Sequence, residues 1–341
     1  MASMHHTSCV LRSFNIAFFG TDHFAIPSLR RLVQKSKENK ELISELTVIT
    51  PPDATSGRGN KILKPAPIKL EAIGLGLAVH HPPPKKFGAW ELPPSISNRP
   101  YDLAIAVSFG YFIPKRILAG FPYGGVNVHP SLLPKYRGAA PLLHTLWNGD
   151  STTGVTVQEL SVQSFDAGRI LNQCETPVSP TEDYLTLHNR LSEKGAQMLV
   201  DTLERWDYFQ ANGWEQDPTK VSHSPKLDRT CSFVNWESDS PELIMRRYLS
   251  LGWRYPVSSY FRGSAIQLFG LSIVENQKPP KCPGTLSFDT DNKAILVSLA
   301  DSRHLLRATH VKMANKSKLA ILDFINGYQL SDSSDKLTTE N

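Results

Sequence analysis

Cysteine is scarce in this chain, and its positions lie far apart. The 341 residues include four cysteines, Cys9, Cys174, Cys231 and Cys282. A zinc site is usually built from closely spaced cysteines or histidines, and a disulfide scaffold is dense in cysteine. The spacing argues against both kinds of site, and it fits a protein of a reducing compartment.

The sequence also lacks a long apolar run and a strong charge of one sign. No stretch reaches the ~20 apolar residues that a membrane-spanning helix needs, so no membrane partner is predicted. Lys and Arg number 37 against 32 Asp and Glu, which gives a formal net charge of +5. Such mild basicity permits a polyanionic partner but does not require one.

The length of the chain and its composition predict the domain organisation. A chain of 341 residues exceeds what one core comfortably holds, so two domains are expected. Residues 13–210 are predicted to form the first domain and residues 226–330 the second, with a turn-rich linker at 211–225. The polar tail at 331–341 is predicted to be disordered. Residues 1–12 contain no acidic side chain, which is compatible with either a short mitochondrial presequence or a disordered N-terminus.

The first domain has the pattern of an α/β fold with a mostly parallel sheet. The apolar run at residues 15–20 predicts a buried strand, a helical pattern follows it, and residues 46–50 predict a second strand. Strand, helix and strand in this order form a βαβ unit and imply a parallel sheet. Further strands are predicted near 77–80 and at 103–107, 125–129 and 154–160, and a helix over 185–203 closes the domain.

The second domain is predicted to be small and mostly β. A helix is predicted over 242–249, and strands at 265–269, 294–298 and near 305–308. Short strands separated by turn signals favour a small barrel. Basic and aromatic residues are interspersed in it, which suits an RNA backbone. These residues are Arg246, Arg247, Arg254, Arg262, Arg307, Lys312, Lys316, Lys318, Trp253, Tyr255 and Tyr260. Acidic residues are also present, and the alternative is that the aromatic residues simply form the core.

The strongest chemical signal is an amide, an imidazole and a carboxylate at two strand-to-loop junctions. Asn127 and His129 end the predicted strand at 125–129, and Asp166 lies in the loop after the strand at 154–160. Doubly wound sheets place their sites at such strand ends. An amine that attacks a carbonyl needs donors for the developing oxyanion and a group that removes the amine proton. We therefore predict that Asn127 and His129 donate, and that Asp166 holds His129 charged and transfers protons.

The order and the flanks of these residues resemble those of the folate-dependent formyltransferases. The matching motifs are Asn127-Val128-His129, Ser131-Leu132-Leu133-Pro134, Arg137-Gly138-Ala139-Ala140-Pro141, Gly149-Asp150, Thr153-Gly154-Val155-Thr156 and Asp166-Ala167-Gly168. With Gly57-Arg58-Gly59 upstream and a long C-terminal extension, the chain is most similar to the members that formylate methionyl-tRNA. The resemblance is clear over roughly residues 14–200 and weaker from about 225 to 330.

The resemblance implies a co-substrate, a partner and further site residues. The co-substrate would be 10-formyltetrahydrofolate, with no metal, and the amine would be that of methionine on initiator tRNA. The second domain would be OB-like and would bind the tRNA, and we expect a monomer. Backbone groups near residues 107–114 and before Asp166 would hold the pterin. The wall of the formyl-folate cleft would be formed by Ser131, Leu132, Leu133 and Pro134.

A basic, glycine-rich loop after the second strand is the predicted tRNA contact of the first domain. It is longer than a connection in an α/β fold requires. Within it, Arg58, Lys61 and Lys64 would meet phosphates or base edges. A dinucleotide-binding loop is a competing interpretation, but Gly57-Arg58-Gly59 lacks a third glycine and does not directly follow the first strand. A merely solvated basic loop is the other alternative.

Two positions depart from the common family pattern. Asp22 stands where the family commonly has proline, so we expect this turn to be less rigid. Pro130 follows the histidine where many bacterial members have glycine. Pro130 and Phe165 resemble the mitochondrial members, which predicts a location in the mitochondrial matrix, with the bacterial cytoplasm as the alternative.

Other functions are compatible with the same motifs. A formyltransferase for a small amine, such as a purine precursor or an amino sugar, is the main alternative. The core of a formyltetrahydrofolate hydrolase or dehydrogenase would share Asn127, His129 and Asp166, although no acyl-carrier or aldehyde-dehydrogenase segment follows here. A catalytically silent RNA-binding homologue is the alternative from another functional class.

Overall fold

The structure is a computed structural model that describes residues 13–56, 62–84, 87–277, 279, 281–289, 291–330 and 334–339. Within these residues the contacts divide the chain into two compact units. The first unit comprises Met1–Pro141, Thr152–Pro177 and His188–Ser224, and the second comprises Leu142–Ser151, Val178–Leu187 and Pro225–Asn341. Two short stretches that precede the predicted linker, 142–151 and 178–187, thus belong to the second unit.

The first unit is built on a seven-stranded sheet. The strands in chain order are β1 (Phe14–Gly20), β2 (Ile43–Ile49), β3 (Ala54–Ser56), β4 (Ile62–Lys64), β5 (Ala78–His80), β6 (Leu103–Val107), β7 (Gly125–His129), β8 (Thr152–Glu159) and β9 (Ile170–Pro177). The sheet has the order β5-β2-β1-β6-β7-β8-β9, and β3 and β4 form a separate hairpin. The first five strands in this sheet order, β5, β2, β1, β6 and β7, are parallel. Strand β8 is antiparallel to β7, and β9 is antiparallel to β8.

Burial on both faces explains the central strands. Every residue of β1 and of β6 is buried, and strands covered on both faces read as continuous apolar runs. The strand order reverses beside β1, which is where open α/β sheets place their ligands. The prediction of a mostly parallel α/β fold is confirmed, together with the six predicted strands of this unit.

The α-helices lie between and after these strands. They are α1 (Ala25–Glu38), α2 (Pro67–Gly74), α3 (Lys115–Leu118), α4 (Pro141–Asn148), α5 (Tyr184–Glu204), α6 (Trp206–Asn212), α7 (Pro241–Leu251) and α8 (Ile321–Tyr328). Short 3-10 turns occupy Pro218–Lys220 and Arg229–Ser232. In α1 the residues Ala25, Leu29 and Leu32 recur at helical spacing and are buried, so one face packs on the sheet. The helices predicted over 185–203 and 242–249 are confirmed as α5 and α7.

The second unit contains two antiparallel sheets. Its strands are β10 (Ser258–Phe261), β11 (Ser264–Phe269), β12 (Ser272–Glu275), β13 (Leu286–Asp289), β14 (Ala294–Ser298), β15 (His304–Ala308), β16 (His310–Met313), β17 (Lys318–Ala320) and β18 (Leu337–Thr338). They have the orders β17-β16-β11-β10-β18 and β12-β15-β14-β13. Trp236, Phe261 and Phe324 are fully buried in the core of this unit. The strands predicted at 265–269, 294–298 and near 305–308 are confirmed as β11, β14 and β15.

The C-terminal tail is partly ordered. Strand β18 pairs with β10, where Leu337 lies opposite Phe261 and is fully buried. The prediction of a disordered tail is therefore wrong for residues 334–339, because one buried leucine anchors an otherwise polar segment. Residues 331–333 and 340–341 lie outside the described residues.

Candidate active site

Strands β7 and β8 place four polar side chains on one face of the sheet. Asn127 and His129 are two residues apart in β7, so their side chains point to the same side. In the antiparallel pairing Asn127 lies opposite Gln158, and His129 lies opposite Thr156. The site predicted from Asn127 and His129 therefore also contains Gln158 and Thr156.

Three of these side chains, those of Asn127, His129 and Gln158, converge on the carboxylate of Asp166. Its Oδ1 lies 3.2 Å from Nδ2 of Asn127, and 3.3 Å from both Nδ1 of His129 and Nε2 of Gln158. Its Oδ2 accepts a hydrogen bond of 2.9 Å from the backbone N–H of Gly138. The structure thus brings the three predicted catalytic residues into direct contact.

The loop that carries Asp166 has an unusual backbone. The φ angle of Asp166 is +54°, in the left-handed region where Asp and Asn are enriched among non-glycine residues. Two residues later, the N–H of Gly168 donates to Oε1 of Gln158 over 3.2 Å. A Cβ on Gly168 would collide with the carbonyl of Glu159. Glycine is therefore required at position 168, because the loop passes so close to Glu159 in β8.

The imidazole of His129 is buried and has an acceptor at each nitrogen. Nδ1 faces Asp166, and Nε2 lies 2.9 Å from the carbonyl oxygen of Tyr136. Burial lowers the pKa of His129, but the charge and hydrogen bond of Asp166 and the Tyr136 carbonyl outweigh burial and raise it. Burial raises the pKa of Asp166, but the charge and hydrogen bond of His129 and the Gly138 N–H outweigh burial and lower it. A doubly protonated ring that donates from both nitrogens satisfies these surroundings.

This buried pair predicts a pH-dependent contribution to stability. The raised pKa of His129 contributes stability that is full below the unfolded-state value of about 6.5 and is lost as pH rises through the folded value. The lowered pKa of Asp166 contributes stability above about pH 3.9, which is lost as pH falls through its folded value. Urea unfolding of wild type and of His129→Gln should therefore differ more near pH 5.5 than near pH 9. An equal difference in unfolding free energy at both values would contradict the charged pair.

The predicted wall of the folate cleft is a hydrogen-bonded turn after β7. It comprises Ser131, Leu132, Leu133 and Pro134, and the peptide bond before Pro134 is cis. The Ser131 hydroxyl donates to the Lys135 carbonyl over 2.6 Å. The Thr156 hydroxyl donates to the Ser131 carbonyl and accepts from the N–H of Leu133. These polar groups hold the turn itself, so its apolar surface is the part suited to a ligand, and its binding role stays a prediction.

The two segments predicted to hold the pterin meet through an aromatic contact. The rings of Phe112 and Phe165 lie edge to face, with centroids 5.2 Å apart, and both are partly exposed. Phe165 directly precedes Asp166, so this contact joins the segment at 107–114 to the loop of Asp166.

The turn in which Asp22 replaces the usual proline is tied by hydrogen bonds. Oδ2 of Asp22 accepts from the Ser108 hydroxyl over 2.7 Å, and Oδ1 accepts from the N–H of Phe24 over 3.0 Å. The Thr21 hydroxyl donates to the Phe109 carbonyl over 2.8 Å. The turn is thus restrained by side chains where the family commonly uses a proline ring, contrary to the expected loss of rigidity.

Of the three predicted tRNA-contacting residues, the structure describes Lys64. Arg58 and Lys61 lie outside the described residues. Lys64 is exposed at the end of β4, in the hairpin with β3. Contact of these three residues with tRNA stays a prediction.

The second unit presents an exposed basic hairpin. Lys312 lies opposite Lys318 between β16 and β17, and Lys316 lies in the connection. All three side chains are exposed. Like charges placed opposite each other disfavour strand pairing, and a bound polyanion would relieve that repulsion. Three of the arginines form ion pairs within the unit instead, namely Arg247 with Asp239, Arg262 with Asp335 and Arg307 with Asp289.

Sequence reasoning missed three residues around Asp166. Gln158 is 1% exposed, and a glutamine among the apolar residues of a buried strand was the available signal. Arg137 lies in the motif Arg137-Gly138-Ala139-Ala140-Pro141, whose pattern does not indicate what its side chain contacts. Gln216 lies in the predicted linker, where no local pattern marks it.

Both parts of the chain match families of known proteins. The protein-family model described as Formyl transferase matches residues 14–203. A second family model, described as Formyl transferase, C-terminal domain, matches residues 226–329. The chain belongs to the formyl transferase family. Among the described residues, no cluster of His, Cys, Asp and Glu is suited to a metal ion, and no helix is long and apolar enough to cross a membrane.

Similar full-length proteins carry a more particular name. The mitochondrial methionyl-tRNA formyltransferase of Rattus norvegicus is 33% identical over 325 residues, which cover 92% of this chain and 78% of the relative. The methionyl-tRNA formyltransferase of Syntrophus aciditrophicus is 34% identical over 322 residues, which cover 94% and 98%. The predicted resemblance is confirmed, and the similar proteins include both mitochondrial and bacterial ones.

Solved structures share the fold at low sequence identity. HypX from Aquifex aeolicus in complex with tetrahydrofolic acid has a TM-score of 0.59 and 18% identity over 94% of this chain. The match covers 48% of HypX, so the chain spans about half the length of that protein. The N-formyltransferase of Helicobacter canadensis, solved with folinic acid and dTDP-3-aminofucose, has a TM-score of 0.59 and 14% identity over 88% of this chain and 100% of its own.

Proposed function

We propose that this chain transfers the formyl group of 10-formyltetrahydrofolate to the α-amine of methionine on initiator tRNA. The product would be N-formylmethionyl-tRNA for translation initiation. The observation that carries the proposal is the contact of Asn127 and His129 with the carboxylate of Asp166. The relatives named methionyl-tRNA formyltransferase, which match over nearly the whole chain, support the choice of amine.

In the proposed reaction the neutral amine nitrogen attacks the formyl carbon. A carbon–nitrogen bond forms, and the formyl oxygen becomes an anion that accepts a hydrogen bond from Nδ2 of Asn127. Asp166 takes the proton that the new ammonium centre loses. The bond from the formyl carbon to N10 of the folate then breaks, and N10 receives the proton, directly from Asp166 or through water. No covalent enzyme intermediate is needed.

We assign His129 the positive charge beside Asp166 and the developing oxyanion. Both of its ring nitrogens already face acceptors, Asp166 and the Tyr136 carbonyl. Donation from His129 to the formyl oxygen, as predicted from the sequence, would require one of these bonds to be exchanged. A buried charge acts strongly at this distance because little water screens it.

The proposal includes the surroundings of the reaction. The apolar surface of Ser131, Leu132, Leu133 and Pro134 would line the formyl-folate cleft, and the Phe112–Phe165 contact would border it. The folate is a consumed co-substrate, and the chemistry calls for no metal. We further propose a monomer and a location in mitochondria. The mitochondrial relatives support this location, and the bacterial relatives support the alternative, a bacterial cytoplasm.

Contact with the tRNA is proposed at two basic segments. Arg58, Lys61 and Lys64 would meet the acceptor end, and the hairpin of Lys312 and Lys318 would meet phosphates. Changing Arg58, Lys61 and Lys64 together to alanine is expected to raise the KM for methionyl-tRNA by about tenfold or more, with kcat changed far less. The slope of log KM for methionyl-tRNA against log salt concentration should also become shallower by roughly 0.7–0.9 for each phosphate contact that is lost.

Formyl transfer from 10-formyltetrahydrofolate to methionyl-tRNA, measured over a salt series, tests this proposal. The matched control changes Lys37, Lys40 and Lys194, which are exposed on the first unit, to alanine. If the control and the loop variant lose tRNA use equally, the loop has no specific role. If wild type leaves methionyl-tRNA unmodified, the proposed function itself fails.

A small amine is the alternative substrate. The solved structure from Helicobacter canadensis, with dTDP-3-aminofucose, has the same fold. A small substrate, however, makes no use of an exposed basic hairpin, and we therefore favour the tRNA.

A further inference from the structure

The segment between the two matched family regions is bonded to the active site. The backbone of Trp214 pairs with Ile170 next to the loop of Asp166. Farther on, the carbonyl of Ser222 accepts from the N–H of Arg137, and the N–H of Ser224 donates to the Arg137 carbonyl, both over 2.8 Å. Residues 213–224, predicted as part of a linker, thus form hydrogen bonds on both sides of the catalytic carboxylate.

Within this segment, Gln216 contacts the loop of Asp166 through its side chain. Its Nε2 lies 2.9 Å from the carbonyl of Asp166, 2.7 Å from that of Gly168 and 3.1 Å from Oε1 of Gln158. An amide nitrogen carries two hydrogens, so these three acceptors share them. Gln216 therefore bridges the two ends of the left-handed turn at Asp166 and connects that turn to β8.

The oxygen of the same amide holds the guanidinium group of Arg137. Oε1 of Gln216 accepts from Nε of Arg137 over 2.9 Å and from Nη2 over 2.7 Å. Burial raises the pKa of Asp166, the charge of His129 opposes that effect most strongly, and the charge of Arg137 adds to the opposition. The two bonds to Gln216 hence determine where the guanidinium charge lies relative to the carboxylate.

We propose that Gln216 is a positioning residue for formyl transfer, which holds the Asp166 carboxylate against Asn127 and His129. This inference rests on the proposed function for its kinetic consequence, but not for its structural one. The position requires a donor towards two backbone carbonyls and an acceptor towards a guanidinium. Glutamine supplies both, whereas glutamate has no donor and methionine has neither.

Besides Gln216, the N–H of Gly138 bonds the carboxylate and the N–H of Gly168 ties the loop to Gln158, but neither of these bonds reaches the carbonyls of Asp166 and Gly168. The φ of +54° at Asp166 is sparsely populated for non-glycine residues, and such conformations persist where their surroundings over-determine them. Without the amide of Gln216, the carbonyls of Asp166 and Gly168 lose the donor that the contacts show for this turn. The carboxylate would then move away from Nδ1 of His129.

The test compares Gln216→Met with wild type in two measurements. The first is kcat and KM for formyl transfer to methionyl-tRNA. We expect kcat to fall by about 10-fold to 100-fold, as when a reacting group is misplaced, with KM for both substrates within about threefold. Gln197→Met is the matched control, because Gln197 is exposed on α5 and bonds only at the surface. It should leave both constants unchanged.

The second measurement needs no substrate. The pKa of His129 is followed by ¹⁵N NMR, with its signals assigned by their absence in His129→Gln. We expect a lower pKa for His129 in Gln216→Met than in wild type, because the carboxylate that raises it has moved. Gln216→Glu, which keeps an acceptor for Arg137 and loses the donors, should show the same loss of kcat.

The outcomes separate this inference from the proposed function. An unchanged kcat together with an unchanged pKa of His129 would overturn the positioning role, as would a normal kcat in Gln216→Glu. The positioning role is also overturned if the loss of kcat equals the fraction of unfolded protein and the pKa of His129 is unchanged. If wild type does not formylate methionyl-tRNA, the proposed function fails, and the His129 titration alone still decides the role of Gln216.

Discussion

Replacing Asp166 by asparagine is expected to lower kcat for formyl transfer by about 10²- to 10⁴-fold, the usual contribution of a positioned acid or base. Asparagine has nearly the same shape and also tolerates the left-handed backbone of this position. Its one oxygen can still accept from Nδ2 of Asn127. Its amide nitrogen then replaces the oxygen that accepts from the N–H of Gly138, and it cannot take a proton. KM for both substrates should change little, because the lost interaction develops only in the transition state.

The control for Asp166→Asn is Asp102→Asn. Asp102 is half-buried and accepts a 2.7 Å hydrogen bond from the N–H of Asn15, at the opposite end of the sheet strands. Its replacement should affect stability but leave kcat within about twofold. Retention of wild-type kcat in Asp166→Asn would remove Asp166 from the mechanism.

Replacing Asn127 by alanine is expected to lower kcat by about 10²- to 10³-fold, as loss of one oxyanion donor does. Nδ2 of Asn127 bonds Asp166 at 3.2 Å, and its second hydrogen is the one proposed to meet the formyl oxygen. The donor stabilises the anion more than the neutral formyl group, so kcat falls and KM for the folate stays nearly constant. Single-turnover rates with saturating substrates measure this effect directly.

A matched control for Asn127→Ala lies in the same sheet. Asn172 in β9 is also partly buried and donates to the Thr202 hydroxyl over 3.3 Å. Asn172→Ala should lose stability but keep its rate of formyl transfer. Equal losses of rate in both variants would mean that Asn127 acts only through the stability of the sheet.

The central sheet could be predicted because its strands are buried on both faces. Strands β1 and β6 contain continuous apolar runs, whose pattern needs no knowledge of their partners. Strand β9 was missed since it lies at the edge of the sheet, where six of its eight residues are partly or fully exposed. Leu337 was missed because its burial depends on pairing with Phe261, which is distant in the sequence.

The candidate site likewise contains residues that the sequence could identify and residues that it could not. Asn127 and His129 share one strand, and the pattern that ends in Asp166 marks the loop, so all three could be named from the sequence. The surroundings of Asp166 could not be predicted, because they come from distant segments. Gln216 reaches the carbonyl of Asp166 across 50 positions, and a polar residue in a turn-rich segment has no local pattern that indicates such a contact.

One competition experiment tests the central claim most directly. Wild type is supplied with limiting 10-formyltetrahydrofolate that carries a ¹³C-formyl group, together with equal concentrations of methionyl-initiator tRNA, free methionine and a dTDP-amino sugar. Mass spectrometry then locates the label. We predict that the label appears on the α-amine of methionyl-tRNA and that the two small amines remain unlabelled. Label on the amino sugar or on free methionine, with methionyl-tRNA unmodified, would contradict the account.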